Sequence, residues 1–187
     1  MYLISSILDT LRVPPDKFDQ DLNEILLDLA RESIEEQIYP EIGFIVAVLE
    51  AEEVGIGKII PGDGGAYYDV KFKVLSYLPE KDEVVEGKTV DIADFGVFVR
   101  IGIIDALCHV SQIADDFFSF NERAQELVGK ETGLRIRLDD PARGRIIAVG
   151  LGKQQIKVGI TMRQPGLGLL EWIEKWKQEM LEKRNET

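Results

Sequence analysis

Phe95, Phe98, Arg100 and His109 lie within fifteen residues of one another and combine ring faces with cationic or hydrogen-bonding tips. Rings of this kind stack on nucleobases, and guanidinium and imidazole groups reach phosphates and base edges, so the set has the chemistry of single-stranded nucleic-acid binding. Catalytic arrangements are missing. The chain's one histidine and one cysteine are adjacent, at Cys108 and His109. Strand alternation sends neighbouring side chains to opposite faces, so these two form no nucleophile–base dyad. There is no serine nucleophile motif. Asp115-Asp116 and Asp139-Asp140 set carboxylates side by side without the spacing that wraps ligands round one ion, so they read as surface loops and no metal or other cofactor is expected. Gly57-Lys58 is followed by Ile59 and lacks the upstream glycine of a phosphate loop, while Gly55-x-Gly57 lacks a third glycine and a helix after it. The expectation is a binding protein and not an enzyme.

The aromatic and cationic residues need strands to hold them. From Val84 to Ile113 the chain reads as three short strands in series. Period-two alternation puts Val97, Val99 and Ile101 on one face and Phe98 and Arg100 on the other, and Gly96 permits the bend that a small closed barrel needs. In the third strand Leu107 and His109 point one way and Cys108 and Val110 the other. An outward face therefore collects Phe98, Arg100 and His109, and Phe95 joins it if a bulge at Gly96 reverses the alternation. The barrel closes with strands at 143–149 and 155–161, and a stretch at 113–134 is longer than a plain barrel connection and partly helical by composition.

This pattern resembles the S1-type RNA-binding OB-fold. The matching residues are Gly87, then Asp94-Phe95-Gly96-Val97-Phe98-Val99, then Leu107-Cys108-His109-Val110-Ser111. Ala106 stands where that family usually has glycine, and Gly150 to Gln155 lacks the family's usual acid-then-arginine pair.

With 187 residues, 45% hydrophobic and 30% charged, the chain suits one or two soluble domains with cores of their own. A lone cysteine excludes an internal disulfide and cysteine-based zinc sites, which fits a reducing interior, so a cytoplasmic location is expected. The amino-terminal stretch has no basic region and its apolar residues are broken by Asp9 and Arg12, which suits neither a signal peptide nor a membrane span. The net charge of −12 is unevenly spread: residues 1–80 hold 6 Lys+Arg against 16 Asp+Glu, and residues 81–187 hold 16 against 18. Within 129–163 the balance is 8 basic to 3 acidic. Lys153, Lys157 and the strip from Arg135 to Arg145 are thus candidate phosphate contacts, against the alternative of solvated strand faces.

Ahead of the barrel, residues 1–13 read as a strand ended by Pro14-Pro15. Residues 19–37 read as an amphipathic helix, with Leu22, Ile25, Leu26, Leu29, Ser33 and Ile34 at helical spacing. Residues 42–49 read as a continuous apolar strand, covered on both faces or centrally placed, in the middle of a small sheet. A glycine-rich tip, Val54 to Gly65, separates that strand from an alternating one at 68–77. Ile59, Ile60 and Pro61 are too apolar for an idle turn and suit seating in a partner. At the carboxyl end, Leu169, Ile173, Trp176 and Met180 form a stripe for packing on the barrel or on a partner.

The Arg12-Val13-Pro14-Pro15 tetrapeptide, the tip Gly57-Lys58-Ile59-Ile60-Pro61-Gly62-Asp63-Gly64, Glu83-Val84-Val85-Glu86-Gly87 and Thr161-Met162-Arg163-Gln164-Pro165 together resemble the E′ stalk family of archaeal DNA-directed RNA polymerase, whose eukaryotic counterpart is the seventh subunit of RNA polymerase II. The resemblance covers essentially the whole chain. It implies an α+β protein: an amino-terminal RNP-like α/β domain at 1–80, then an S1-type OB-fold β-barrel with a terminal helix at 81–187. It further implies a non-catalytic polymerase stalk component that docks on the polymerase core through Gly57 to Gly64, forms a heterodimer with the small F subunit of RNA polymerase and guides single-stranded nascent RNA. A free-standing S1-type RNA-binding adaptor, such as an exosome cap protein, is the alternative. It gives the tip and the Arg-Val-Pro-Pro stretch no role.

Overall fold

The computed structural model describes residues 1–152 and 155–185, without the side chains of Lys183 and Asn185. The chain divides into two compact units, Met1–Leu78 with Leu151–Gln155, and Pro79–Gly150 with Ile156–Thr187.

The first unit is a helix on an antiparallel sheet. Strand β1 (Tyr2–Val13) ends at the proline pair and leads through a single 3-10 turn to helix α1 (Leu22–Ile34). The helix is shorter at both ends than its apolar spacing suggested. Asp21 supplies the N-cap, its carboxylate accepting from the Asn23 and Glu24 amides at 2.9 and 3.2 Å, and Glu36 with φ +63° cannot continue the helix. Then follow β2 (Ile38–Tyr39), β3 (Gly43–Val54), β4 (Lys58–Ile59) and β5 (Ala66–Tyr77). The sheet order is β1-β5-β3-β2, with β4 also on β5. Helix α1 lays Ile25, Leu26, Ala30 and Ile34 on Leu11, Val13, Ile45, Val48, Val70, Phe72 and Val74. Ser33, expected on that face, is exposed and donates to the Leu29 carbonyl at 2.8 Å, while Ala30 takes the buried position.

Strand β3 lies inside the sheet, between β5 and the short β2, and β5 carries the most pairings. Strand β3 is longer than expected and covered on one face only. Leu49 is exposed, the register against β5 shifts three times, and the face away from the helix carries Glu50–Lys73 and Glu53–Lys71 ion pairs. One helix covers one side of the sheet and leaves the other open, where Ile4 and Leu8 of β1 are exposed as well.

The second unit opens with β6 (Val84–Ala93), β7 (Gly96–Ile101) and β8 (Ile104–His109). It continues with β9 (Phe118–Asn121), β10 (Glu126–Gly129), β11 (Arg135–Ile136), β12 (Pro141–Leu151), β13 (Ile156–Thr161), β14 (Gly168–Leu169) and α2 (Leu170–Asn185). The main sheet runs β13-β8-β7-β6-β12-β14, and an additional β12–β13 pairing closes five of these strands into a barrel. Val97, Val99, Ile101, Ala106, Cys108, Ile146, Val158 and Ile160 are buried. Ala106 sits within β8 opposite Val99, and the preceding reversal falls at Gly102 with φ +70°, so position 106 needs no left-handed backbone.

The stretch at 113–134 is not helical. It forms part of a three-stranded sheet, β11-β10-β9, in which Leu127 and Ile136 are buried. Asp116 organises it by accepting from the Phe117, Glu131 and Thr132 amides at 2.6, 3.1 and 2.9 Å and from the Thr132 hydroxyl. Those donors, the Thr132 hydroxyl first, hold the Asp116 carboxyl down at about 2. A folded value below the unfolded one means that this carboxylate stabilises the fold fully above about pH 4, and that the contribution is lost as pH falls toward 2. Carboxyl NMR titration should place Asp116 near 2 in the native chain, and Asp116→Asn should flatten the acid limb of the stability profile. The carboxyl-terminal apolar stripe is only half covered: Leu169 on β14 and Ile173 on α2 are buried, whereas Trp176 and Met180 are exposed.

Candidate functional site

The outward face of the barrel is built on β7 and β8. Alternation along β7 buries Val97, Val99 and Ile101 and turns Phe98 and Arg100 outward. The antiparallel register sets Phe98 opposite Leu107, Arg100 opposite Asp105 and Gly96 opposite His109. A β-carbon on Gly96 would come within 2.3 Å of the Cys108 carbonyl oxygen, so only glycine lets the strands approach there. Phe95 is 47% exposed, and its ring meets Phe98 edge-to-face with centroids 6.0 Å apart. Both phenylalanines therefore lie outside the barrel core, as two perpendicular ring faces.

His109 is exposed and its ring orientation is fixed. Its Nδ1 accepts from the Ser111 amide at 3.2 Å and lies 2.9 Å from the Ser111 hydroxyl. In the neutral ring the hydrogen is then on Nε2, which serves as an outward donor. Cys108 faces the opposite way, fully buried, and burial pushes its thiol up to about 12. The alternation argument against a Cys-His dyad thus holds in the structure.

Charge on this face is modest. Arg100 forms a two-pronged pair with Asp105, Nε to Oδ1 at 2.8 Å and Nη2 to Oδ2 at 3.1 Å. That pairing raises the guanidinium pKa and leaves Arg100 less available to a phosphate. Lys157 is exposed on β13, two residues from Gly159, which pairs with Leu107; parallel register places Lys157 on the same outward face. Lys153 lies outside the described residues. Lys88, which sequence reasoning missed, is exposed on β6 directly opposite Arg100. Its position follows from the β6–β7 register, which alternation within one strand cannot supply.

The basic strip does not form a free cationic surface. Arg135 and Arg137 converge on Glu126, Arg143 pairs with Glu86 at 2.6 Å, and Arg163 pairs with Asp115 at 2.6 Å. These acids lie outside the 129–163 window, which is why a local charge count overstated its positive character. Arg163 also donates to the Ser111 carbonyl at 3.3 Å, bringing it next to the residue that orients His109.

The glycine-rich tip is partly strand. Lys58 and Ile59 of β4 pair with Tyr67 and Ala66, and the Asp63 amide donates to the Ile60 carbonyl at 3.0 Å to close a turn through Pro61-Gly62. Gly62 has φ +93°, which with Pro61 before it makes the turn type II. Exposure reaches 89% at Ile56, 74% at Ile59 and 49% at Ile60. Gly64 lies beyond the turn and Gly57 beneath the Tyr68 ring. Ile56 fell just outside the stretch singled out from the sequence, although an isoleucine between two glycines is itself a sign of an apolar apex.

Residues 9–64 match the model for the SHS2 domain found in the N terminus of Rpb7p/Rpc25p/MJ0397, and residues 78–149 match the S1 RNA binding domain. The DNA-directed RNA polymerase subunit Rpo7 of Saccharolobus shibatae is 35% identical over 92% of this chain and 97% of its own length. The chain belongs to the Rpo7 family. The Saccharolobus solfataricus Rpo7 is 34% identical over 95% of this chain and 100% of its own. The Bos taurus DNA-directed RNA polymerase III subunit RPC8 is 22% identical over 92% and 98%. Rpo7 proteins are non-catalytic polymerase subunits. The α+β class, an SHS2 unit followed by an S1 barrel, agrees with the sequence expectation.

Proposed function

We propose that this Rpo7-family chain is a stalk component of a DNA-directed RNA polymerase. In this reading it docks on the polymerase core through the tip at Gly57 to Gly64, pairs with the small F subunit and holds nascent single-stranded RNA on the barrel face. The observation that carries the RNA reading is the exposed Phe95–Phe98 pair beside His109, on a barrel of the S1 class. Stacking accepts any base, so binding has little sequence preference. Of the described cations on this face, Lys88 and Lys157 are exposed and enter no ion pair, and with Arg100 already held by Asp105 they are the ones most open to phosphate. A titration of single-stranded RNA against salt tests this. The affinity should fall with a log–log slope of about −1 to −1.5, as two phosphate contacts would give; a slope several times steeper would place the RNA on a more basic surface. For the tip, the reading is supported by its exposed isoleucines on an acidic unit. The adaptor alternative leaves those isoleucines without a purpose. A cytoplasmic location goes with this role.

A further inference from the structure

Asp63 belongs to the tip by sequence, yet its carboxylate is turned back on its own unit. Arg12 Nε donates to its Oδ2 at 2.9 Å, and Nη2 of the same guanidinium donates to Oδ1. The Tyr67 hydroxyl donates at 2.6 Å and the Gly65 amide at 3.0 Å. A β-carbon on Gly65 would lie 2.8 Å from Arg12 Nε, so the bare glycine is what lets the guanidinium cross the loop to reach Asp63. Hydrogen bonds from Arg12 and Tyr67 hold the Asp63 carboxyl well below the usual carboxylate range, so it stays ionised at any working pH. A second clamp lies alongside: Lys58 reaches Asp69 at 2.8 Å, and the Thr10 hydroxyl reaches the same carboxylate at 2.7 Å. With these surface polar groups paired to one another, the tip presents Ile56, Ile59 and Ile60 as its unpaired apolar groups.

We propose that Asp63 is a positioning residue, a latch joining Arg12, Gly65 and Tyr67, and that the docking surface is the preformed apolar apex of Ile56, Ile59 and Ile60. The receiving surface is then an apolar pocket of the polymerase core with no cation set aside for Asp63. This rests on the docking reading above. A loop ordered before binding does not spend binding free energy on being ordered, so loosening the latch weakens docking without removing any contact.

The test uses the full chain, purified core polymerase, and three variants: Asp63→Asn, Tyr67→Phe and Ile60→Ser. Two quantities are read, amide exchange at Asp63 and Gly65 in the free chain, and the Kd for core polymerase. Asp63→Asn should speed exchange at both amides about tenfold, leave the Val70 and Phe72 amides unchanged, and weaken docking about five- to tenfold. Tyr67→Phe should move both readouts in the same direction by less. Ile60→Ser should weaken docking with the amides still protected. Protected Gly65 amides in Asp63→Asn would overturn the latch. Loosened amides with docking lost only in Ile60→Ser would overturn its positioning role alone. Loosened amides with wild-type docking in all three variants would overturn the docking reading itself.

Discussion

Shortening the tip from Ile59 to Asp63 is expected to remove association with core polymerase while leaving both units folded. The segment contributes almost nothing to burial: the core of the first unit is made by α1, β1, β3 and β5, and no tip residue belongs to it. What the deletion removes is Ile59 and Ile60, two of the three apex isoleucines, and the turn that presents them. A large apolar side chain buried in a partner is worth about 1.5–3 kcal/mol, so two isoleucines account for roughly a hundredfold or more in affinity, enough to abolish recovery in a wash. Arg12 and Tyr67 lose their Asp63 partner, while Leu11 and Val13 on either side of Arg12 stay in the core. Circular dichroism with a pull-down on immobilised core polymerase measures both effects. Normal recovery of a folded, shortened chain would contradict the docking role.

The second large effect is expected on RNA. Phe98→Ala with His109→Ala should lower affinity for single-stranded RNA by about tenfold or more, since each stacked base is worth roughly 1–3 kcal/mol and the histidine donor goes with it. Stability distinguishes this from core damage. A fully buried phenylalanine cut to alanine costs about 3–5 kcal/mol, whereas Phe98 is half-buried on the outward face and packs against the exposed Phe95. The double variant should therefore melt close to the wild type. Phe95→Ala alone should show the same separation, with an even smaller change in melting. Unchanged RNA affinity in the folded double variant would sink the proposed surface.

The barrel face was readable because it depends on alternation within one strand. Val97, Val99 and Ile101 against Phe98 and Arg100 required no knowledge of any neighbour, and β7 obeys that pattern. What could not be read depends on pairing across distance. Arg12 and Asp63 are 51 positions apart, and Arg143 and Glu86 are 57 apart, so neither the latch nor the neutralised strip leaves a local signal. Strands β9 to β11 span two to four residues each, too short for periodicity to declare itself, and acidic, glutamine- and alanine-bearing stretches near them mimic a helix. Strand β3 misled for a different reason. Its apolar run allowed burial on both faces, but three register irregularities against β5 rotate it, leaving Leu49 outside the core. The tip was legible as a docking candidate from its isoleucines, while the inward turn of Asp63 was not.

Affinity capture of the tagged chain from its native extract, in buffer with nuclease added, tests the central claim most directly. Assembly into a polymerase stalk predicts that the core polymerase and one small partner, the F subunit, are recovered with the chain in equal ratio and stay after the RNA is digested. Recovery of the chain alone, or with an RNA-degrading assembly in place of polymerase, would contradict it.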